Sequence, residues 1–431
     1  MRREEDPGTA SRKAKGLSAV FRRMKEADGT PDSPWNGFAF RLFRCRMGGK
    51  QEPVIDDAPL RGAGVPYVML CNHESFEDFY YISRMAHPRK PCYMVNAYYT
   101  FLPGLRTLAK HIGALPKKLF TQEPSTGIAM LRTVRRGIPL VVFPEGRLSA
   151  DGRTNRIAES GVALYRALQA DLVLTRIDGA YYAHPKWRDR MYRSDIRVTV
   201  RRVLRAQELR EMSAAELERV ITETLYNDAS ERTDAAYPQK DKAKGLERLL
   251  YRCAACGALY RTRGTGNELV CGACGRRFRL DDSYHFTELP GSIPGYYDEI
   301  RRMEAEELDS LALLVPVRTK ICGSGKGRTR RERGVCELTA EAFRYRSGTG
   351  GFTIPTAELP ALAFSCGKEF ELYYEDRLHF FYPEEHPCQA ARWSLAVDLL
   401  AERRKNGALR IPPRAAGQEE PSAEVTASTG P

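Results

Sequence analysis

No run of apolar residues in this chain approaches the roughly 18 needed to cross a bilayer, so the protein is expected in water or against a membrane face. The residues behind Met1-Arg2-Arg3 are Glu4-Glu5-Asp6-Pro7 where a secretory signal would need an apolar core. The two absences together predict a cytoplasmic protein, peripheral on the cytoplasmic face of a membrane. An even set of cysteines is also missing. There are eleven, and in a reducing compartment an odd number favours metal ligation over a disulfide framework. Acidic side chains are in deficit, 55 against 68 Lys and Arg, for a net charge of +13. That excess favours an anionic partner, whether a phospholipid surface, a phosphorylated substrate or nucleic acid, and charge alone does not choose among them.

At 431 residues the chain exceeds one ordinary domain. Residues 1–15 are charged and polar and read as a disordered tail. Residues 16–48 carry two basic amphipathic helical pieces, one with Leu17, Val20, Phe21 and Met24, the other with Phe38, Phe40, Leu42 and Phe43 among arginines. Such pieces lie on anionic lipid or pack on the next domain. From 49 to 226 the pattern alternates. Strands are predicted at 65–71, 92–95, 139–143 and 172–177, and helices at 80–85, 126–136, 160–168 and 207–225, with helical signals at 101–115 interrupted by Pro103-Gly104. Alternation of this kind implies an α/β domain whose sheet is flanked by helices and whose functional turns gather at strand ends.

Two of those turns carry chemistry. Asn72-His73-Glu74-Ser75-Phe76-Glu77-Asp78 follows the first strand. In one continuous helix His73 and Asp78 would point roughly 140° apart, at 100° per residue. They can pair only if His73 sits in the strand-to-helix turn and Asp78 in the helix. Ser75 and Asp78 also have the spacing of a capping box, the plainer explanation of the same residues. Phe143-Pro144-Glu145-Gly146-Arg147 follows the third strand. Gly146 permits close approach of backbone N–H groups to a ligand, and Arg147 offers a planar fork suited to phosphate.

Together and in this order, the two motifs resemble the glycerophospholipid acyltransferases, the family of 1-acylglycerol-3-phosphate and 2-acylglycerophosphoethanolamine acyltransferases. Asn72, His73 and Asp78 match its Asn-His-x4-Asp motif, and Phe143 to Arg147 match its Phe-Pro-Glu-Gly-Arg motif. Arg176-Ile177-Asp178-Gly179 matches the end of a further motif, without the Pro expected just before it. Where the family carries an Arg after a Gly and apolar residues, this chain has Gly113-Ala114-Leu115-Pro116-Lys117-Lys118. The resemblance covers about residues 50–205. It implies transfer of an acyl group from acyl-CoA or acyl carrier protein to a hydroxyl of a lysophospholipid or glycerol phosphate, with no cofactor for catalysis. His73 would be the general base and Asp78 its partner. Asn72, Lys117, Lys118, Glu145, Gly146 and Arg147 would bind substrate, Glu145 through an acceptor hydroxyl or by positioning Arg147.

Residues 227–244 are polar and read as a linker. In 245–285, Cys253-Ala-Ala-Cys256 and Cys271-Gly-Ala-Cys274 are separated by fourteen residues. Four soft ligands in two knuckles predict a structural Zn²⁺ ribbon, ahead of a redox-active pair. Residues 240–280 hold ten Lys or Arg against three Asp or Glu, which suits nucleic acid, lipid headgroups, a carrier protein or simply the thiolate charge. Residues 296–408 show an acidic helix, seven short strand-like runs and a closing helix, a pattern that looks like a β-rich pleckstrin-homology (PH) or GRAM-like domain. The loop 323–333 is strongly basic and lacks the spacing of a nucleotide-binding loop. Residues 411–431 read as a second disordered tail. The alternatives to an enzyme are a catalytically inactive membrane-associated scaffold and a nucleic-acid-binding ribbon. The intact His–Asp pair disfavours the first, and nucleic acid is the less favoured partner.

Overall fold

A computed structural model describes residues 52–98 and 113–406, apart from 122, 158, 233, 289–290, 324–328, 360 and 376. The amphipathic pieces in 16–48, both tails, most of the 101–115 segment and the centre of the basic loop lie outside the described residues. The chain divides into two units. One extends to Ala229 and takes in Thr319–Glu332 and Glu371–Phe381. The other comprises Ser230–Arg318, Arg333–Phe370 and the chain from Tyr382.

The first unit is built on a seven-stranded mixed sheet in the order β1-β7-β6-β2-β5-β3-β4. Its strands are β1 (Val54–Asp56), β2 (Tyr67–Cys71), β3 (Cys92–Asn96), β4 (Ala114–Lys117), β5 (Leu140–Val142), β6 (Asp171–Asp178) and β7 (Arg197–Leu204). β6, β2, β5, β3 and β4 run parallel, and β7 reverses against β6. β2 and β5 are apolar at every position because both faces are covered. On one face Val68, Leu70, Leu140, Val142, Leu172 and Leu174 meet α2 (Pro124–Arg135), α3 (Glu159–Ala167) and α6 (Ala214–Leu225). On the other, Tyr67, Met69, Val141 and Val173 meet Tyr80, Tyr81, Ile82 and Met85 of α1 (Asp78–Ala86). Side chains alternate along each strand, so one short sheet feeds two cores.

Several elements depart from expectation. Ala114 and Leu115 are strand, not helix. β4 is the edge of its sheet, where Pro116 can sit exposed because no ladder partner needs its missing N–H. The single helix expected over 207–225 breaks at Met212 into α5 (Ala206–Glu211) and α6. Ser213 starts the second piece by accepting from the Glu216 N–H at 3.1 Å. The linker at 227–244 is packed. Tyr237 and Lys242 are each 1% exposed, and the Lys242 ammonium is met by Asp282 at 2.6 Å and the Tyr237 carbonyl at 3.2 Å. β1, β7 and the four-residue helix α4 (Ala180–Ala183) were not foreseen.

In the second unit, β8 (Thr262–Thr265), β9 (Glu268–Cys271) and β10 (Arg277–Arg279) form an antiparallel sheet. Helix α7 (Ile293–Glu306) follows. Seven further strands, of which the stretches within Thr319–Glu332 and Glu371–Phe381 belong to the first unit, run from β11 (Ala312–Gly323) through β12 (Arg330–Thr339), β13 (Ala342–Ser347), β14 (Gly350–Pro355), β15 (Ala363–Phe364) and β16 (Phe370–Tyr374) to β17 (Arg377–Pro383). Their order in the sheet is β14-β13-β12-β11-β17-β16-β15, and α8 (Gln389–Asn406) closes the domain. The strand count and closing helix are those expected from the sequence.

Leu174 is fully buried in the central sheet. Leu174→Ala should cost about 2–5 kcal/mol, read as a lower urea midpoint by circular dichroism. A change within about 0.5 kcal/mol, as at a surface site, would mean this sheet is not the core of its unit.

Candidate active site and four-cysteine cluster

The parallel strands β2 and β5 are neighbours, so the turns that follow them leave the same edge of the sheet. Asn72 closes the end of β2. Its amide donates to the Ile177 carbonyl at 2.8 Å and accepts the Ile177 N–H at 2.7 Å, stitching the turn to β6. Asn72 is 1% exposed. Both ends of its amide are spent on backbone, so its role is to hold the turn, in place of the substrate contact expected for it.

His73 is fixed at both of its backbone groups. Its N–H donates to Glu145 Oε1 at 2.6 Å, and its carbonyl accepts the Ser149 N–H at 2.8 Å. The imidazole Nδ1 lies 2.9 Å from Asp78 Oδ2. One ring face stacks on Phe143, with centroids 4.2 Å apart and planes 20° from parallel. The His73 side chain is 21% exposed and that of Asp78 is not exposed. Asp78 is the first residue of α1, as the pairing argument required. A buried carboxylate needs its oxygens satisfied. Asp78 Oδ2 accepts the N–H groups of Glu74 at 2.7 Å and Ser75 at 3.0 Å, and Oδ1 accepts the Ser75 hydroxyl at 3.1 Å. Half of the expected capping box is present, the Asp78 carboxylate on the Ser75 N–H. Glu77 is the N-cap residue and makes no side-chain cap, while the Ser75 hydroxyl accepts the Glu77 N–H at 3.3 Å and donates to Asp78.

The other acids of this motif serve neighbours. Glu74 accepts from the Tyr181 N–H at 2.9 Å and from Asn227 Nδ2 at 2.5 Å. Burial, with Asp78 and Asp178 nearby, pushes its pKa well above the usual carboxylate value. Glu77 meets His184 Nδ1 at 3.0 and 3.1 Å. Cys71 is fully buried, and burial raises its thiol well above the ordinary value, the opposite of an activated nucleophile.

Glu145 is 4% exposed. Besides the His73 N–H it receives the backbone N–H of Asn155 at 2.5 Å and Asn155 Nδ2 at 2.8 Å, both on Oε2. Burial pushes its pKa up to about 8, against these three donors, which favour the anion. Glu145 is thus a strut beneath His73, and it reaches Arg147 through Asn155, whose Oδ1 accepts from Arg147 Nε at 3.2 Å. Gly146 has φ +70°, and a side chain there would sit 3.5 Å from the Phe120 ring, so the turn after β4 abuts this one. The end of β4 and that turn hold the two expected lysines. Lys117 Nζ donates to the Thr121 carbonyl at 2.8 Å, and burial lowers its pKa. Lys118 Nζ lies 3.3 Å from Glu123. Asn155, Ser149, Glu74 and the ring of Phe143 were absent from the residues expected at the site. Asn155 lies eight residues beyond Arg147, in a stretch with no spacing rule to mark it.

Residues 53–175 match the family model described as Acyltransferase. The matched stretch contains His73, Asp78, Glu145 and Arg147, and this part of the chain is an acyltransferase-like α/β domain. A solved structure, the 1-acyl-sn-glycerophosphate (LPA) acyltransferase PlsC from Thermotoga maritima, aligns over 49% of this chain and 80% of its own, with 15% identity and a TM-score of 0.35.

In the second unit, the sulfurs of Cys253, Cys256, Cys271 and Cys274 all lie within 4.8 Å of one another. Cys253 and Cys274 are 3.9 Å apart, and Cys256 and Cys271 are 3.8 Å apart. The two knuckles close alike, with Gly257 N–H on the Cys253 carbonyl and Gly275 N–H on the Cys271 carbonyl, each at 2.9 Å. Arg252, just before the first knuckle, is 3.4 Å from Glu304 of α7, which also holds Arg392 of α8 at 2.9 Å.

Glu145 carries a pH signature. The folded state holds a proton there up to about pH 8, while the ordinary value is 4.5, so between these limits folding takes up a proton. Stability from this group is full below the ordinary value and is lost as pH rises through about 8. The difference in urea midpoint between wild type and Glu145→Gln should therefore fall steadily as pH is raised and level off above that point. A difference that is flat with pH would mean the carboxyl ionises normally.

Proposed function

We propose that the protein transfers a fatty acyl group from an acyl thioester, of CoA or acyl carrier protein, to the hydroxyl of a lysophospholipid or glycerol phosphate. The observation that carries this reading is the His73–Asp78 pair, with the acid buried and the ring partly open at the sheet edge. With Nδ1 donating to Asp78, Nε2 is left with a lone pair. It takes the proton as the acceptor oxygen attacks the thioester carbonyl. The carbon–sulfur bond then breaks, and the imidazolium returns its proton to the departing thiolate. Asp78 keeps the tautomer and stabilises the imidazolium, as the acid does in hydrolase triads. The acyl group passes directly, without an acyl-enzyme. Arg147 is the phosphate ligand in this reading, supported by its guanidinium beside the Gly146 turn and by the lysines of the neighbouring turn.

We infer further that the four cysteines hold a structural Zn²⁺. A tetrahedral site with Zn–S bonds of about 2.3 Å needs sulfurs about 3.8 Å apart, which the two measured pairs fit. The seven strands with their closing helix are read as a PH/GRAM-like domain. An anionic membrane surface is the proposed partner of its sheet. Arg344 and Arg346 flank Glu337, and Arg318 and Arg333 flank Glu384, an excess of positive charge on exposed strands.

His73→Ala should lower acyl transfer about 100- to 10,000-fold in an assay of labelled acyl thioester with a panel of lysophospholipids, with the circular dichroism spectrum unchanged. Transfer that survives at the wild-type rate would remove the proposed base. The purified protein should carry about one zinc per chain by elemental analysis, and Cys271→Ser should lose it. Undiminished zinc in that variant would refute the assigned ligands.

A further inference from the structure

We propose that Asn155 is a positioning residue of this site, its amide coupling the Arg147 guanidinium to the carboxylate that holds the His73 turn. The proposal rests on the acyl-transfer reading above and adds a residue that neither motif contains. A side-chain amide has an acceptor end and a donor end, and each is used. Oδ1 accepts from Arg147 Nε at 3.2 Å, and Nδ2 donates to Glu145 Oε2 at 2.8 Å. Nδ2 also lies 3.4 Å from the Arg147 carbonyl, and the backbone N–H of Asn155 adds a second donor to Glu145 Oε2 at 2.5 Å. The other oxygen of Glu145 takes the His73 N–H at 2.6 Å. The Arg147 guanidinium fixes the amide orientation, because it only donates and so must meet the amide oxygen. A flipped amide would oppose N–H to N–H at Arg147. One asparagine thus links the group assigned to the acceptor phosphate with the strut under the base.

The chemistry of the link gives it a distinctive test. Asn155→Asp keeps an acceptor for Arg147 but turns an oxygen toward Glu145. Two facing carboxylates share one proton, and that proton restores the missing donor until it is lost at higher pH. Asn155→Ala removes both ends. Kinetics with a phosphate-bearing acceptor should show KM for the acceptor raised about ten-fold or more in Asn155→Ala, with KM for the acyl thioester unchanged. In Asn155→Asp the acceptor KM should stay near wild type, while kcat relative to wild type falls as pH rises from about 6 to 9. Thermal unfolding without substrate supplies a second readout. The Tm of Asn155→Asp should drop relative to wild type over the same pH range. A Tm difference that is constant with pH, or variants that lower kcat alone and equally at every pH, would show simple packing and overturn the coupling. If wild type acylates no phosphate-bearing acceptor yet the pH-dependent Tm difference is present, the acyl-transfer reading fails and the link between Arg147 and Glu145 stands.

Discussion

One buried carboxylate sets the geometry of the site. Glu145 sits under the His73 turn with N–H donors on both of its oxygens: the His73 N–H on one, and the two from Asn155 on the other. A polar group moved out of water is tolerated only where hydrogen-bond partners replace the lost hydration. Here those donors come from two loops, so satisfying the acid forces the loops together. The Ser149 N–H on the His73 carbonyl closes the same junction from the other side. The imidazole then has little freedom left. Its backbone is pinned by the second turn, its Nδ1 by Asp78, and one ring face by Phe143. A side chain held in this way has little conformational entropy left to lose, which is the advantage of a preorganised site.

Much of this was legible in the sequence. The apolar runs at 67–71, 140–142 and 172–174 are uniform because those strands are buried on both faces, and uniform runs are easy to read. Helix geometry allowed His73 to pair with Asp78 only across a strand-to-helix turn, and it was the resemblance of the two motifs to the acyltransferases that implied the pair. The less legible parts have physical reasons. β7 carries Arg197, Arg201 and Arg202 on its open side, so its pattern is half polar and the strand hides among charges. The 227–244 segment looked like a linker because Lys242 is charged, but an ammonium with a carboxylate partner can be buried. Ser75 has the spacing of a capping box, yet only the acid half of that box forms, and its hydroxyl accepts the Glu77 N–H while donating to Asp78, because a hydroxyl can donate as readily as it accepts. Asn155 had no pattern at all. Its role depends on two partners distant in type and purpose, and only coordinates bring them together.

The two cysteine knuckles pose the opposite case. Their spacing was the clearest signal in the chain, and the sulfurs converge as that spacing implied. The surroundings of the first knuckle were not readable. Arg252, Glu304 and Arg392 form a buried chain of alternating charge next to it. Each charge there is tolerable only while its partner stays in place, so the three residues tie the first knuckle to α7 and α8 of its own unit.

The placement of His73 over Glu145 is written in the register of two strands. β2 and β5 pair in parallel with Leu70 opposite Val142, an offset of 72 residues. His73 and Glu145 lie the same distance past those partners, and they too are separated by 72. Two motifs far apart in sequence are thereby level in space before any side chain is considered. A slip of one residue would move Val142 and Leu140 from one core to the other and cost their burial. It would also carry Glu145 about 3.3 Å along the strand, beyond reach of the His73 N–H. Packing of the two cores therefore fixes the register, and the register fixes the site. The apolar residues of β2 and β5 lie in the two cores, yet they determine where the His73 imidazole stands.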